Sequence, residues 1–111
     1  MTTDDLPEHV AANRQYWDDR AADWVAAGER QWAWQEPRWG IWGVHESELG
    51  MLPSDMTGMT AVELGCGTGY ISGWMARRGA AVSAIDNSAE QLATARRLAD
   101  QHRARIDFHH G

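Results

Sequence analysis

Three glycines at alternate positions, Gly65, Gly67 and Gly69, separate a short apolar segment from a segment with helical periodicity. Glycine lets the backbone turn sharply between a strand and a helix, and it lets a ligand approach the main chain closely. The free N–H groups and the positive dipole end of the following helix point toward the same place. This turn therefore predicts a ligand site at the junction of a strand and a helix.

The segments around the turn alternate between strand and helix patterns. Strands are predicted at residues 60–64, 81–85 and 106–109, and helices at residues 70–78 and 88–102. Ser88 is followed three residues later by Gln91, which is the capping-box spacing of a helix start. The alternation predicts an α/β fold, a right-handed βαβαβ unit with a parallel sheet. Such a unit is half of a doubly wound, Rossmann-like sheet.

The first 58 residues differ in composition from the rest. Six of the seven tryptophans lie in this part, at positions 17, 24, 32, 34, 39 and 42. Apolar spacing predicts a helix over residues 8–27 with Gly28 as its C-cap, then a short helical piece over residues 29–35. Residues 38–44 are predicted to be an ordered loop that places bulky rings. We thus divide the chain into a helical, Trp-rich segment (1–58) and a half-domain (59–111) that stops at its third strand.

Composition and charge exclude several classes of function. The net charge is −6, all ten basic residues are arginine, and there is no basic run, which argues against nucleic-acid and membrane-surface binding. No apolar run reaches the roughly 18 residues of a membrane span. Residues 1–5 contain two aspartates and no apolar segment, so they do not resemble a secretory signal. Cys66 alone allows no internal disulfide or four-thiolate zinc site, and the histidines lack metal-ligand spacing. We expect a reducing, cytoplasmic setting.

Two acidic residues narrow the choice of ligand. Glu63 precedes the glycine turn, and Asp86 ends the second predicted strand, 23 residues after Glu63. A carboxylate at the end of that strand can accept hydrogen bonds from the vicinal hydroxyls of a ribose. Dinucleotide-binding proteins need a third glycine one position later than Gly69, where this chain has Tyr70. The pattern favours a nucleoside that carries an amino group and no pyrophosphate.

Glu63-x-Gly65-x-Gly67-x-Gly69 followed by Asp86 resembles motif I and the next acidic residue of the class I S-adenosylmethionine-dependent methyltransferases. Tyr16-Trp17-Asp18 is similar to a feature of the type 11 branch of that family. The Trp-Gly-Ile-Trp-Gly stretch at residues 39–43 is similar to that of bacterial methyltransferases of unassigned substrate. The resemblance implies the N-terminal part of an enzyme that binds S-adenosyl-L-methionine and methylates a small-molecule acceptor. We expect no turnover by these 111 residues alone, and methyl transfer by the purified chain would contradict that expectation.

The resemblance also implies which residues hold the cofactor. The eight candidates are Tyr16, Glu63, Gly65, Cys66, Gly67, Gly69, Asp86 and Asn87. Backbone groups of the turn would line the methionine part, Glu63 would help bind the amino group, and Tyr16 would close over the carboxylate. Asp86 would hold the ribose 2′- and 3′-hydroxyls, and Asn87 would lie beside the adenine. No catalytic residue and no metal ligand is assigned, and the oligomeric state stays open.

Other interpretations of the same residues stay open at this point. The chain could belong to an NAD(P)-dependent oxidoreductase, or it could be a non-catalytic fragment that docks on a partner through its first sheet strand. It could also be a minimal domain whose Trp-rich segment covers the exposed edge of that strand. Glu63 could be paired with an arginine, and Tyr16 could simply pack on its helix. The tryptophans could be core residues, with some of them lining an apolar substrate pocket.

Overall fold

The structure is a computed structural model and describes residues 6–111. The interpretation of residues 1–5 as unlike a secretory signal lies outside the described residues. The elements in chain order are α1 (Glu8–Ala33), β1 (Arg38–Trp39), β2 (Val44–His45), α2 (Glu46–Leu49), β3 (Thr60–Leu64), α3 (Tyr70–Arg77), β4 (Ala81–Asp86), α4 (Ala89–Gln101) and β5 (Ile106–His110). No helix among these residues has both the length and the apolar character that a membrane span requires.

Strands β3, β4 and β5 form a parallel sheet in that order, with α3 and α4 as the connections between them. Thr60 lies opposite Ala81, and Val82 lies opposite Ile106. The predicted βαβαβ unit is therefore confirmed. The second and third strands each extend one residue beyond the predicted ends.

Both connecting helices cover the same face of the sheet. Val82 of β4 is 5% exposed and packs with Met75 of α3, whereas Ala84 is fully buried and packs with Leu92 of α4. On the opposite face of the edge strand β3, Val62 and Leu64 are 59% and 76% exposed. Within the described residues, the Trp-rich segment does not cover these side chains.

Helix α1 does not end at Gly28, as the sequence predicts, but continues to Ala33. Gly28 is buried inside the helix, and a Cβ atom there would lie 2.9 Å from Cγ2 of Thr68. The missing side chain lets α1 approach the glycine turn closely. The C-cap prediction was wrong because the glycine serves helix packing, which local sequence does not show.

The segment predicted to be a loop contains a short antiparallel pair, in which Arg38 lies opposite His45 and Trp39 opposite Val44. The chain reverses between these strands through Gly40 and Gly43, whose φ angles are +67° and +62°. A Cβ atom added at either glycine would have no other atom within 4 Å. Glycine is therefore needed here for the backbone conformation of the turn and not for close packing.

Glu46, at the start of α2, joins the N-terminal segment to the half-domain. Its side chain is 4% exposed and accepts hydrogen bonds from the backbone N–H groups of Met51 and Leu52 at 2.6 and 3.0 Å. Its Oε2 atom also accepts a hydrogen bond from the guanidinium of Arg78 at 3.0 Å. The Trp39 Nε1–H is a fourth donor, to Oε1 at 3.3 Å. A buried carboxylate held by four donors fixes the segment after α2 against the end of α3.

Trp32 anchors α1 on the half-domain. Its side chain is 1% exposed, and its Nε1–H donates to the backbone oxygen of Thr68 at 2.8 Å. The indole ring lies so close to Gly73 of α3 that a Cβ there would be 2.5 Å from ring atoms. The two parts of the chain thus pack against each other, while their division at residue 58 stays a prediction.

We predict that Gly73→Ala lowers the free energy of unfolding by about 1–3 kcal/mol, the usual cost of overpacking. Helix propensity alone would give the opposite sign, a gain of about 1 kcal/mol. Urea unfolding followed by circular dichroism measures the difference. Ala93→Gly, at an exposed position of α4, is the control for propensity. A Gly73→Ala variant as stable as the parent chain would show that Trp32 does not restrict this position.

Candidate functional site

The glycine turn is fixed to the end of β4 by backbone hydrogen bonds. Gly65, Gly67 and Gly69 have φ angles of +70°, +55° and +79°. The N–H groups of Gly65 and Cys66 both donate to the carbonyl oxygen of Ile85, at 2.8 and 3.0 Å. Left-handed backbone at these positions favours glycine because a side chain would strain it. The turn therefore has one defined shape beside the end of the second sheet strand.

Asp86 joins three elements through one carboxylate. Its Oδ2 accepts the Gly67 N–H at 2.8 Å, and its Oδ1 accepts the Ser88 N–H at 2.9 Å. Ser88 in turn caps α4, since its Oγ accepts the Gln91 N–H at 3.1 Å and donates to Asp18 of α1 at 2.6 Å. An ionised carboxylate has about four acceptor sites, so Asp86 keeps acceptor capacity for a ligand.

Glu63 lies on the other side of the turn, and its partner is a serine and not an arginine. Its Oε1 accepts the Ser72 Oγ–H at 2.6 Å and the Ser72 N–H at 3.2 Å. Burial raises the pKa of the Glu63 carboxyl, and the negative charge of Asp86 raises it further. Two acidic groups at one cavity, one of them partly desolvated, make an environment that favours a cationic ligand group.

A cavity of about 430 Å³ lies between the turn and α1. The sheet side contributes Glu63, Gly65, Cys66, Gly67, Thr68, Asp86 and Asn87. The α1 side contributes Asn13, Trp17, Trp24 and Gln31, which lie at helical spacings of four and seven residues. Tyr70, Ile71 and Gln91 complete the lining. The cavity thus has a polar wall made by the turn and a partly aromatic wall made by one helix face.

Six of the eight cofactor residues expected from the sequence line this cavity, and Gly69 and Tyr16 do not. Gly69 precedes α3, and a Cβ there would lie 3.2 Å from the ring of Phe108, so it faces the packed interior. Tyr16 is 48% exposed, and the guanidinium of Arg20 lies 3.8 Å from its ring centroid. A cofactor-binding role for these two residues stays a prediction.

Asn87 lines the cavity but uses its polar groups to hold α1. Arg14 Nε–H donates to both the backbone oxygen and Oδ1 of Asn87, each at 2.8 Å. The Nδ2–H of Asn87 donates to the carbonyl oxygen of Val10 at 3.3 Å. Asn87 therefore fixes the start of α1 beside the cavity, a role that its position after Asp86 did not predict.

The sequence analysis missed eight cavity residues. Four lie on α1, the fifth is Gln91, and three lie in or directly after the glycine turn: Thr68, Tyr70 and Ile71. A continuous helix over residues 8–33 would have placed Asn13, Trp17, Trp24 and Gln31 on one face, but the predicted break at Gly28 separated Gln31 from the rest. Gln91 was interpreted only as a capping residue. Its side chain lines the cavity, while its backbone N–H makes the cap.

Residues 61–111 match the family model described as a methyltransferase domain. These residues belong to a methyltransferase domain of the S-adenosylmethionine-dependent family. The glycine turn and Asp86 both fall inside the matched range. The family's cofactor is S-adenosylmethionine, which agrees with a cavity formed by backbone groups and two carboxylates.

Two curated relatives and a solved structure support the family assignment. The chain is 42% identical over 64 residues to the magnesium-protoporphyrin O-methyltransferase of Rhodobacter capsulatus, covering 57% of this chain and 29% of that protein. It is 30% identical over 82 residues to the ubiquinone biosynthesis O-methyltransferase of Pasteurella multocida, covering 68% and 34%. It also resembles a methyltransferase from Geobacter sulfurreducens solved with S-adenosyl-L-homocysteine, at 28% identity and a TM-score of 0.51, covering 59% and 27%. The chain spans about a third of the length of the curated relatives it matches.

Cys66 of the glycine turn is buried, with 8% of its surface exposed. Burial and the nearby charges of Asp86 and Glu63 raise the pKa of its thiol to about 12. With this pKa the thiol is protonated at neutral pH. Because the thiolate is the reactive form of cysteine, Cys66 is unreactive under these conditions. No group of three or more potential metal ligands is found in residues 6–111. The geometry is that of a small residue filling the turn.

We predict slow alkylation of Cys66 in the folded chain. At pH 8 iodoacetamide should react at least about 100-fold more slowly than with the urea-unfolded chain, because a raised thiol pKa lowers the thiolate fraction. The alkylation rate should still rise steeply with pH, up to the pH at which the chain unfolds. Mass spectrometry of timed samples measures the rate. A plateau near pH 9 in folded protein would contradict a pKa of about 12.

Proposed function

We propose that this cavity binds S-adenosylmethionine through Asp86 and Glu63, and that the protein transfers the methyl group to a small-molecule acceptor. The observation that carries the proposal is the placement of these carboxylates on one cavity with the positive-φ turn between their strands. Asp86 has acceptor capacity for ribose hydroxyls. Glu63 has its Oε1 bonded to Ser72, and its charge suits the cofactor's ammonium group.

The chain's own contribution to the reaction is binding and orientation. Bound S-adenosylmethionine supplies an electrophilic methyl group on a sulfonium centre. The turn gives the ligand close access to the backbone, and α1 forms the opposite wall of the cavity. Methyl transfer depends strongly on holding two reactants in line, so a rigid turn fixed by Asp86 favours it. None of the described residues is proposed as a catalytic base.

We further propose an acceptor with a flat ring system. The two curated relatives are named for a magnesium-protoporphyrin and for ubiquinone biosynthesis. In this chain Trp17 and Trp24 line the cavity and remain 37% and 45% exposed, so their rings are available to a ligand. Aromatic side chains supply large contact areas for such rings.

Both relatives are bacterial, which supports a bacterial origin, and a lone buried thiol is consistent with a cytoplasmic location.

Calorimetric titration with S-adenosylmethionine, S-adenosylhomocysteine and NADH tests the cofactor proposal. We expect saturable binding of the two sulfur nucleosides and weaker or no binding of NADH. Asp86→Asn should weaken binding by about 10-fold or more, because a hydrogen bond to a charged acceptor contributes about 1.5–3 kcal/mol. Tighter binding of NADH would instead favour an oxidoreductase. Obligate oligomerisation without binding would favour an interaction fragment.

The Glu63→Gln variant tests whether the charge of Glu63 binds the ammonium group of the cofactor, while the hydrogen bonds to Ser72 are kept. The amide can still accept hydrogen bonds from Ser72, but it carries no charge. Affinity for S-adenosylhomocysteine should fall by about 10–100-fold, whereas 5′-methylthioadenosine, which lacks the ammonium, should bind almost unchanged. Glu90→Gln, on the exposed first turn of α4, is the control. Equal losses for both ligands would contradict an ammonium-binding role.

The same variant has a defined effect on stability. Because burial raises the pKa of Glu63 in the folded state, its contribution to stability is largest at acid pH and is lost as pH rises through that raised pKa. At pH 8 the ionised carboxylate is therefore destabilising, and Glu63→Gln should melt at the same temperature as the parent chain or higher. A lower melting temperature at pH 8 would contradict this sign.

The acceptor proposal is tested with 2-naphthol as a flat probe, added to the chain saturated with S-adenosylhomocysteine. Trp17→Leu and Trp24→Leu should each weaken probe binding by roughly threefold to tenfold, because an aromatic pair contributes about 0.5–1.5 kcal/mol beyond area burial. Trp42→Leu, 86% exposed in the β1–β2 turn, is the control and should change nothing. Weaker S-adenosylhomocysteine binding with unchanged naphthol binding would assign these rings to the cofactor.

A further inference from the structure

Tyr70 joins the cofactor cavity to a second cavity. The second cavity measures about 500 Å³, and its lining includes Trp34, Glu36, Arg38 and His45. Tyr70 lines the first cavity, and its hydroxyl accepts a hydrogen bond from the backbone N–H of Arg38. Its ring also meets Trp34 edge-on, with 5.4 Å between the ring centroids. The second cavity has the size of a small-molecule site and lies next to the proposed cofactor.

The guanidinium of Arg38 lies in this second cavity without an acidic partner. It is stacked over the Trp34 ring, 4.4 Å from the ring centroid. No carboxylate within residues 6–111 forms an ion pair with it. Arg38 is exposed, so a ligand can reach its side chain. The planar fork of a guanidinium matches a carboxylate, which accepts two parallel hydrogen bonds from it.

The backbone of Arg38 is fixed on three sides. Its N–H donates to Tyr70, and the residue lies opposite His45 in the antiparallel pair of β1 and β2. Pro37, directly before it, is fully buried, and its carbonyl oxygen accepts the N–H of Glu46 at 2.9 Å. An arginine that is stacked on an aromatic ring and carried by a fixed backbone loses little conformational freedom when it binds an anion.

The carboxylate of Glu36, which lines the same cavity, is committed to other groups. Its Oε1 lies 2.5 Å from Nδ1 of His45 and accepts the Ser47 Oγ–H at 3.0 Å, while its Oε2 accepts the Ser47 N–H at 3.2 Å. The hydrogen bond with His45, followed by those with Ser47, lowers the pKa of the Glu36 carboxyl, so it is ionised at neutral pH. A negative charge beside Arg38 disfavours a doubly charged group such as phosphate. The cavity therefore favours a single carboxylate.

We propose that Arg38 binds a carboxylate group of the methyl acceptor, which makes the acceptor a flat aromatic acid. This inference rests on the proposed function. The acceptor ring lies in the cofactor cavity beside Tyr70, and its carboxylate extends into the second cavity. Arg38 does not line the cofactor cavity, so the group that it binds belongs to the acceptor and not to the cofactor.

The test titrates 2-naphthoate, 2-naphthamide and 2-naphthyl phosphate by calorimetry into the chain, with and without saturating S-adenosylhomocysteine. At low ionic strength the parent chain should bind naphthoate roughly threefold to fivefold more tightly than the amide, the upper range for an exposed ion pair with bidentate geometry. Arg38→Gln should remove this preference. Arg30→Gln, exposed in the last turn of α1, changes the net charge equally and should keep it. Naphthyl phosphate should bind no more tightly than naphthoate.

Equal affinities for naphthoate and the amide, or a preference that Arg38→Gln keeps, would overturn the proposal and leave the cofactor assignment intact. Tighter binding of naphthyl phosphate would replace the carboxylate with a phosphate. Weaker S-adenosylhomocysteine binding by Arg38→Gln, with unchanged naphthoate binding, would assign Arg38 to the carboxylate of the cofactor. If the parent chain binds no S-adenosylhomocysteine, the proposed function fails, and the acceptor role of Arg38 fails with it even where naphthoate binding depends on this residue.

Discussion

The hydrogen bond from the Gly67 N–H to the Asp86 carboxylate is the contact on which the site depends. It holds a turn whose glycines all lie in the left-handed region, a backbone with few internal bonds of its own. The other oxygen of the same carboxylate bonds the N–H of Ser88 and so helps begin α4. A ligand that binds Asp86 therefore contacts a group that already positions the turn, the end of β4 and the start of the next helix.

A second constraint brings α1 onto this turn. Trp32 bonds the carbonyl of Thr68, and glycines at positions 28 and 73 leave room for Thr68 and for the indole ring. At the other end of the helix, Arg14 holds Asn87. Because α1 is fixed at both ends of the cavity, its central face, with Trp17 and Trp24, forms one wall of the cavity.

The half-domain could be predicted from sequence because its signals are local. A strand, a glycine turn and a Ser88–Gln91 cap are each specified within a few residues, and Glu63 and Asp86 have fixed positions relative to them. The predictions failed where contacts distant in sequence decide. Gly28 has the features of a helix end until Thr68 is known to lie against it. That the Gln91 side chain does not complete a capping box is known only once Asp86 is seen to accept the Ser88 N–H.

One feature of the cavity is unfavourable for a surface that only packs against other protein. Burial and the charge of Asp86 raise the pKa of the Glu63 carboxyl, so its ionised form costs stability in the free chain. A leucine at this position would leave the buried Ser72 hydroxyl without its acceptor, whereas glutamine would remove only the charge. Under the proposed function, a ligand whose ammonium group pairs with Glu63 recovers this free energy on binding, which adds to its affinity and stabilises the fold by mass action. That arrangement favours a ligand-binding site over the packing surface of a non-catalytic fragment.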